Sequence, residues 1–446
     1  MTLLLAFADF AADFQDKPLA PDVMHHAKRA VIDWCAALLP GAISAPATLL
    51  EKALADELDR GPAELARGRK ATMRAAALIN GTAAHTVEVD DIFRDAIYHP
   101  GAPTISAAFA AAQASGASGE TFLKAVVTGY EISTRIGMVM GRSHYRFWHS
   151  TGTIGTFGAA AAVAAIYRLD ARRFAHALAM AATFAAGLQQ AFRTDSMSKP
   201  LHAGRAAEGG LLAALAAKEG ITGSLDVMEG EAGFIRAMSA CADWEPALAT
   251  LGREFNITRM TFKNHACCGH AFAPIDGALT LQRRLGVAAE DIARLRIETY
   301  QAALEVAGNS NPATPAEARF SIPYLVATAL VHGSVRLAAS APERIADTRT
   351  RELMRKIELG VNADIDAGFP ARRAALLTLD TVDGRRETFL QPTRKGDPDL
   401  PLSDAELEEK YTELTSPLLG PEKAVALLGR LWRLDSQATV SLRLGH

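Results

Sequence analysis

The sequence predicts a mainly α-helical fold, with a large all-helical domain and a smaller α+β lid domain, from three observations. Residues 20 to about 220 are rich in Ala and Leu, with apolar residues at helical spacing and breaks at Gly or Pro. After about residue 262 this pattern is replaced by short segments in which apolar and polar residues alternate, which indicates strands. The chain of 446 residues also exceeds the length that one hydrophobic core usually covers, so two domains are expected.

Central helices are expected within the first domain. Residues 123–140 and 159–167 carry apolar residues at helical spacing. Residues 153–166 and 209–217 are apolar on nearly every face, which is typical of a helix that other helices surround. The small residues in these segments allow neighbouring helices to approach closely.

The lid domain is expected at residues 262–397. Residues 295–300 alternate, and so do residues 375–390, where Asp383-Gly384 interrupts the alternation with a strong hairpin signal. Helical patterns separate these strands at residues 322–330 and 348–357.

The C-terminal residues 398–446 are expected to complete the helical domain begun by residues 1–261. Ser403 is placed to cap a helix over residues 404–412, and residues 421–430 form another amphipathic run. We expect this tail to pack on the first domain.

Composition excludes several classes of partner. The net charge is −3, from 47 basic and 50 acidic residues that are interspersed, so no extended field favours nucleic acid or an anionic membrane. The N-terminus lacks the basic start of a signal peptide, and no apolar run reaches the roughly 20 residues that span a bilayer. The cysteines are too few and scattered for a disulfide framework: Cys35, Cys241, Cys267 and Cys268. We therefore expect a cytoplasmic protein.

The first polar constellation is residues 87–103, where four carboxylates, Arg94 and His99 lie between alanine-rich segments. Such groups are rarely buried unless paired, so the segment is either a solvated surface loop or one wall of a polar pocket. Pro100 and Gly101 place His99 on a loop that enters the next helix. A helix N-terminus lowers the pKa of a nearby imidazole and favours bound anions.

The second constellation is residues 143–153, in which Tyr145, Trp148 and His149 precede an apolar helix. Imidazole and phenol groups can exchange protons while aromatic rings wall a site. Aromatic packing, with Ser150 or Thr151 as a helix cap, is the alternative interpretation.

The third constellation is residues 196–210, where Lys199 precedes Pro200 and a Gly/Ala-rich helix. An ammonium group placed there could hold a carboxylate or donate a proton, since partial burial lowers the pKa of lysine. A plain surface lysine is the alternative.

The fourth constellation lies at the predicted domain boundary, where Cys267 and Cys268 stand between His265 and His270. This composition suggests zinc, but adjacent cysteines serve one tetrahedral site poorly and no second ligand pair follows. We therefore expect no metal here, and residues that line a cleft instead.

Together and in this order, the constellations resemble the MmgE/PrpD family, which includes 2-methylcitrate dehydratase, cis-aconitate decarboxylase and iminodisuccinate epimerase. Residues 85–93 (HTVEVDDIF) resemble the family pattern HxxDFDDTH, and HPGA follows at residue 99. Residues 148–155 (WHSTGTIG) resemble FHPTGxxG, and residues 199–204 (KPLHAG) resemble KxxHxG. The resemblance continues through residues 263–276 and 318–324, so that it covers about residues 5 to 430.

The resemblance implies a cofactor-free homodimer with a pocket between the helical domain and the lid. The family's shared chemistry is proton abstraction next to a carboxylate of a di- or tricarboxylate. Such chemistry needs cations to hold carboxylates and a base poised near neutral pH. Arg94 and Lys199 suit the first role, with Arg193 or Lys263 as further candidates, and His99 or His149 suits the second.

Two departures from the family pattern bear on the reaction. Glu88 stands where the pattern has Asp, and Ile92 stands where dehydratases and decarboxylases have Thr. Expulsion of a hydroxyl group is thereby disfavoured. Within the family the chain resembles iminodisuccinate epimerase most, and this resemblance implies a cofactor-independent epimerase acting on a polycarboxylate such as iminodisuccinate. The alternatives are a 2-methylcitrate-type dehydratase, a cis-aconitate-type decarboxylase, or an inactive scaffold that binds polycarboxylates. The expected catalytic residues are His99, Tyr145, His149 and Lys199, and the expected substrate-binding residues are Glu88, Asp90, Arg94, His265 and His270.

Overall fold

The computed structural model describes residues 2–192, 196–240, 243–369 and 371–443, so Arg193 and Cys241 lie outside the described residues. The chain forms two compact units. Unit 1 comprises Met1–Thr261 and Ser403–His446, and unit 2 comprises Phe262–Leu402. Unit 1 is mainly helical and unit 2 combines helices with a small sheet, which confirms the predicted fold class.

The first part of unit 1 consists mainly of helices. They are α1 (Leu3–Phe14), α2 (Pro21–Gly41), α3 (Ala47–Ala53), α4 (Met73–Thr86), α5 (Gly101–Ser115), α6 (Gly119–Tyr145), α7 (Ser150–Ile166), α8 (Ala171–Phe184), α9 (Ser198–Lys218), α10 (Phe234–Met238) and α11 (Glu245–Ala249). Every residue of α7 is buried, as its apolar sequence predicts. Within the described ranges, no helix combines the length and the apolar character needed to cross a membrane.

Helices α4, α7 and α9 form the centre of unit 1, with α9 packed against both of the others. Glycines permit this close approach. A Cβ atom at Gly204 would overlap Leu78 O and Thr82 Oγ1 on α4, and one at Gly210 would overlap Thr156 O on α7. His85 lies on α4, His149 lies directly before α7 and His202 lies on α9, so this packing sets the relative positions of three imidazoles of the candidate site.

A short hairpin corrects the expectation that the first domain is all-helical. Strand β1 (Leu58–Glu64) pairs antiparallel with β2 (Lys70–Ala71). Gly61 and Gly68 have positive φ angles of 74° and 85°, and Pro62 removes a backbone donor, so this segment cannot continue as helix.

Unit 2 is built around a four-stranded sheet in the order β4-β3-β5-β6. Strands β3 and β4 are parallel, and the other pairs are antiparallel. The predicted turn at Asp383-Gly384 joins β5 to β6, and Gly384 has the positive φ (87°) that such a turn needs. The helix expected over residues 348–357 is shorter, because the chain leaves it at Met354 to form β4. The elements are α12 (Phe272–Leu285), β3 (Ile292–Thr299), α13 (Gln301–Ala307), α14 (Pro315–Ala318), α15 (Ile322–His332), α16 (Pro342–Ile345), α17 (Thr348–Met354), β4 (Ile357–Val361), α18 (Ala363–Ala367), β5 (Ala375–Thr381) and β6 (Arg386–Gln391).

The C-terminal tail completes unit 1 with α19 (Asp404–Leu419) and α20 (Pro421–Trp432). Ser403 caps α19 as predicted, in a capping box with Glu406. Helix α19 packs on α2, where the buried Lys410 Nζ lies 2.5 Å from Asp33 Oδ1 and donates to Val89 O at 2.7 Å. The tail therefore supports the loop that carries Asp90.

Candidate active site

The centre of the candidate site is a carboxylate that two imidazoles share. His85 lies in the last turn of α4, Asp90 lies in the following loop, and His99 lies just before α5. Asp90 Oδ2 is 2.7 Å from His85 Nδ1 and 3.3 Å from His99 Nδ1. Side-chain exposure is 0% for His85 and 2% for Asp90 but 12% for His99, so His99 is the most open of the three.

The charge of Asp90 is stabilised despite its burial. Burial alone would raise its pKa, but His85 and His99 hold the pKa of this carboxyl well below its usual value. Asp90 Oδ1 and His85 Nε2 are buried without a hydrogen-bond partner among the described residues. These atoms leave hydrogen-bonding capacity at the centre of the cluster.

The same three side chains are close enough to hold a metal ion, because their ligand atoms lie within 4.8 Å of one another. A carboxylate shared by two imidazoles serves proton transfer without any ion. The expectation of a metal-free site therefore stays a prediction.

His149 extends the cluster. It lies at the N-terminus of α7, where its backbone nitrogen donates to Gly187 O at 2.9 Å. Its ring stacks on that of His85 with centroids 5.4 Å apart, and its Nδ1 lies 3.1 Å from His202 Nδ1. Burial and then the neighbouring His85 and Lys199 hold the pKa of His149 well below 6.5, so this imidazole is neutral at pH 7.

Lys199 lies in the first turn of α9 and forms an ion pair with Glu88. Its Nζ also lies 5.2 Å from the ring centroid of Phe192. Glu88 has a positive φ of 59°, an uncommon conformation for a residue other than glycine, asparagine or aspartate. The side chains of Lys199 and Glu88 are 18% and 34% exposed, so solutes can reach this pair.

Asp91 forms a rigid support beneath the cluster. Its carboxyl accepts from Tyr130 Oη at 2.8 Å and from Gly101 N, the first residue of α5, at 3.0 Å. Burial, together with the nearby Asp33, raises the pKa of Asp91 to about 8. These bonds fix the start of α5 and therefore the position of His99.

Two further expected site residues of unit 1 lie at the ends of helical elements. Arg94 opens a short 3₁₀ turn (Arg94–Ala96) and is half-buried. Tyr145 is the last residue of α6, beyond a break at Gly141, and it is also half-buried. The roles expected of both residues stay predictions.

Unit 2 holds the other two expected site residues. His265 Nε2 lies 2.8 Å from Asp276 Oδ1, and Asp276 Oδ2 accepts from Lys395 N, so this histidine is held firmly inside the unit. His270 Nδ1 lies 2.8 Å from Tyr300 Oη, and burial followed by the nearby arginines lowers the pKa of His270 to about 4.

His85 and His202 lie within the motifs at residues 85–93 and 199–204 but are not among the site residues that the sequence predicts. His85 lies on an Ala-rich helix and is fully buried, so its sequence context is that of a core histidine. The spacing of five residues between His85 and Asp90, across the end of α4, is the one signal in the sequence that could have indicated their contact.

Comparisons with known proteins agree on one family. Residues 5–247 match the model described as the MmgE/PrpD N-terminal domain, and residues 265–434 match the MmgE/PrpD C-terminal domain. The chain is 27% identical to the cis-aconitate decarboxylase-like protein oryM of Aspergillus oryzae, covering 97% of this chain and 94% of that protein. It is 24% identical to a cis-aconitate decarboxylase of Aspergillus terreus, covering 85% and 82% of the two chains. It is 27% identical to the human cis-aconitate decarboxylase, covering 79% and 75%.

Proposed function

Because this chain belongs to the MmgE/PrpD family, we propose that it is a cofactor-independent lyase that decarboxylates an unsaturated tricarboxylate of the cis-aconitate class. The observation that carries the proposal is the buried Asp90 carboxylate shared by His85 and His99, with the neutral His149 beside it. The relatives described as cis-aconitate decarboxylases support this reaction over the epimerase that the sequence predicts.

The reaction needs one proton for each carbon dioxide released. The bond between a carbon atom and its carboxylate breaks, and the electron pair is delocalised into the remaining unsaturated carboxylate. A proton from the protein then forms a new C–H bond. A charged proton donor next to the developing carbanion also stabilises that carbanion electrostatically.

His99 is the proposed proton donor. It is more exposed than His85 and Asp90, and the Asp90 carboxylate stabilises its protonated form. His85 contacts the same carboxylate oxygen, Oδ2, and keeps Asp90 in position. The low pKa of His149 keeps its imidazole neutral at pH 7. This neutral imidazole can donate or accept a hydrogen bond at the substrate, and it does not repel the nearby Lys199 or protonated His99.

Lys199 is the proposed carboxylate-binding group, and Glu88 competes for it. A substrate carboxylate that binds Lys199 must displace Glu88, which the partial exposure of the pair allows. The pair thereby favours substrates with several carboxylates, since one carboxylate replaces Glu88 while others are bound elsewhere.

The test is an assay of the purified full chain with cis-aconitate. The proposal expects carbon dioxide and a dicarboxylate in equal amounts, with turnover reduced at least about a hundredfold in His99→Gln. His176→Gln is the matched control, because His176 contacts the backbone of Gly223 rather than the cluster. Wild-type turnover in His99→Gln, or release of water in place of carbon dioxide, would contradict the proposal.

An epimerase of the iminodisuccinate type is the second candidate, and Ile92 favours it. Its apolar side chain stands where family decarboxylases have a hydroxyl group, and its backbone pairs with Thr261 in an isolated bridge. The same imidazoles could remove and return a proton without loss of carbon dioxide. Exchange of solvent deuterium into iminodisuccinate, with no reaction of cis-aconitate, would favour this candidate.

A further inference from the structure

A second cluster of cationic and polar side chains lies wholly within unit 2. Its members are His270, Tyr300, Phe369, Arg373 and Arg394. Tyr300 and Phe369 stack with ring centroids 4.4 Å apart at 15°, and the Arg373 guanidinium lies 5.9 Å from the Phe369 centroid. The aromatic pair therefore holds one face of the cluster in place.

The two arginines differ in how their charges are balanced. Arg394 is buried and forms two hydrogen bonds of 2.9 Å with Asp397, one to each carboxylate oxygen. Arg373 is half-buried, and among the described residues no carboxylate forms an ion pair with it. Burial, and then repulsion from Arg394, lowers its pKa from the ordinary value. The cluster thus retains one unbalanced positive charge.

Both guanidinium groups point towards Gly269. A Cβ atom at this residue would lie 3.0 Å from Arg394 Nη1 and 3.8 Å from Arg373 Nη1. Because residue 269 has no side chain, both guanidinium groups can lie close together beside its backbone. The half-buried Arg373 is the more accessible of the two groups, since Arg394 is buried.

His270 and Tyr300 add a neutral donor to this arrangement. The His270 pKa of about 4 and the Tyr300 pKa of about 12 keep both groups uncharged at pH 7. One proton lies in the 2.8 Å contact between His270 Nδ1 and Tyr300 Oη, so in either tautomer one further N–H or O–H group stays available. A guanidinium group beside a neutral hydrogen-bond donor suits a carboxylate, because both oxygen atoms of the carboxylate accept hydrogen bonds.

We propose that unit 2 contains a carboxylate-binding site in which Arg373 supplies the charge and the His270–Tyr300 pair supplies a hydrogen bond. The inference deepens the proposed function, on which it rests for the choice of a carboxylate as ligand. Arg373 is then a specificity-determining residue that the sequence patterns did not identify.

The test is calorimetric titration of the full chain at pH 7 with citrate, a tricarboxylate that has no double bond to react. Arg373→Gln should weaken citrate binding about tenfold or more, the scale of one lost hydrogen bond to a charged group. Arg372→Gln is the matched control, since the adjacent Arg372 is exposed, and it should bind citrate as the wild type does. Equal affinity in Arg373→Gln and wild type, or equal loss in both variants, would overturn the inference.

Thermal unfolding separates binding from a structural role. Removal of Arg373 relieves repulsion with Arg394 and breaks no ion pair within the described ranges, but it loses the contact with the Phe369 ring. Arg373→Gln should therefore unfold within about 3 °C of the wild-type temperature without citrate. Citrate should raise that temperature less in Arg373→Gln than in wild type. A larger decrease without citrate would mean that Arg373 is structural and would overturn the inference.

Two further measurements define the ligand and the dependence on the proposed function. Tyr300→Phe, which removes only the hydroxyl group, should also weaken citrate binding, and unchanged affinity would contradict the role of the pair. At equal ionic strength, phosphate should bind more weakly than citrate, and Arg373→Gln should weaken phosphate binding less than citrate binding. Equal affinities for the two ligands, weakened equally in Arg373→Gln, would contradict the assignment to carboxylates. If cis-aconitate is not decarboxylated but citrate binding depends on Arg373, the reaction proposal fails and this inference stands.

Discussion

Replacement of Asp90 by asparagine should remove the charge of the central cluster while leaving its shape. The amide has the same volume as the carboxyl group, and its oxygen can still accept from His85 Nδ1. Its nitrogen can take the place of Asp90 Oδ1, which is buried without a hydrogen-bond partner in the described part of the chain. The protonated form of His99 then loses the counter-charge that lies 3.3 Å from its Nδ1.

The expected size of this effect follows from the contacts that change. A hydrogen bond to a charged group contributes about 1.5–3 kcal/mol, which corresponds to about a ten- to 150-fold change in rate. Because Asp90 serves two imidazoles, Asp90→Asn should lower kcat/KM for cis-aconitate about a hundredfold.

The assay is steady-state release of carbon dioxide, with Asp95→Asn as the control. Asp95 lies in the same segment but is exposed and pairs only at the surface with Arg259 Nη2 at 3.0 Å, so its replacement should change turnover less than about twofold. A kcat/KM in Asp90→Asn within threefold of the wild type would refute the role of the shared carboxylate.

Three other predictions follow from the same geometry. His149→Ala and Lys199→Ala should each reduce turnover at least about a hundredfold in the carbon dioxide assay, and near-normal turnover in either variant removes that residue from the mechanism. The raised pKa of Asp91, about 8, means that its ionisation opposes folding, so wild-type stability should fall as pH rises from about 4 to 8. Urea unfolding should show a smaller fall in Asp91→Asn, and parallel profiles would contradict this account. Gly204→Ala should destabilise unit 1 by about 3 kcal/mol, because the added Cβ atom would overlap α4. Gly209→Ala is the control and should be neutral or stabilising, since its added Cβ atom would lie 3.6 Å from the nearest side-chain atom. Equal effects of the two variants on the free energy of urea unfolding would contradict the packing argument.

Local signals in the sequence predict much of the fold. The Ser403 capping box and the Asp383-Gly384 turn occur where the sequence places them, because each depends on residues a few positions apart. Strand β4 was missed because Ile357–Val361 is short and pairs in parallel with β3, more than fifty residues earlier. Such pairing depends on tertiary contacts that no local pattern reveals.

The candidate site shows the same limit. The sequence identified Asp90, His99, His149 and Lys199 as site candidates, and the structure brings them into one region of unit 1. It did not identify the partner that shares Asp90 with His99, because His85 lies on a buried helix. Nor did it show that Glu88 pairs with Lys199, since the packing of α4 and α9 brings these residues together.

The central claim is tested most directly by carbon-13 NMR of the reaction with labelled cis-aconitate in heavy water. The account predicts one molecule of carbon dioxide for each deuterium that enters the dicarboxylate product, because the proton comes from the protein and exchanges with solvent. Deuterium entering unreacted polycarboxylate substrate without release of carbon dioxide would contradict decarboxylation and would favour an epimerase.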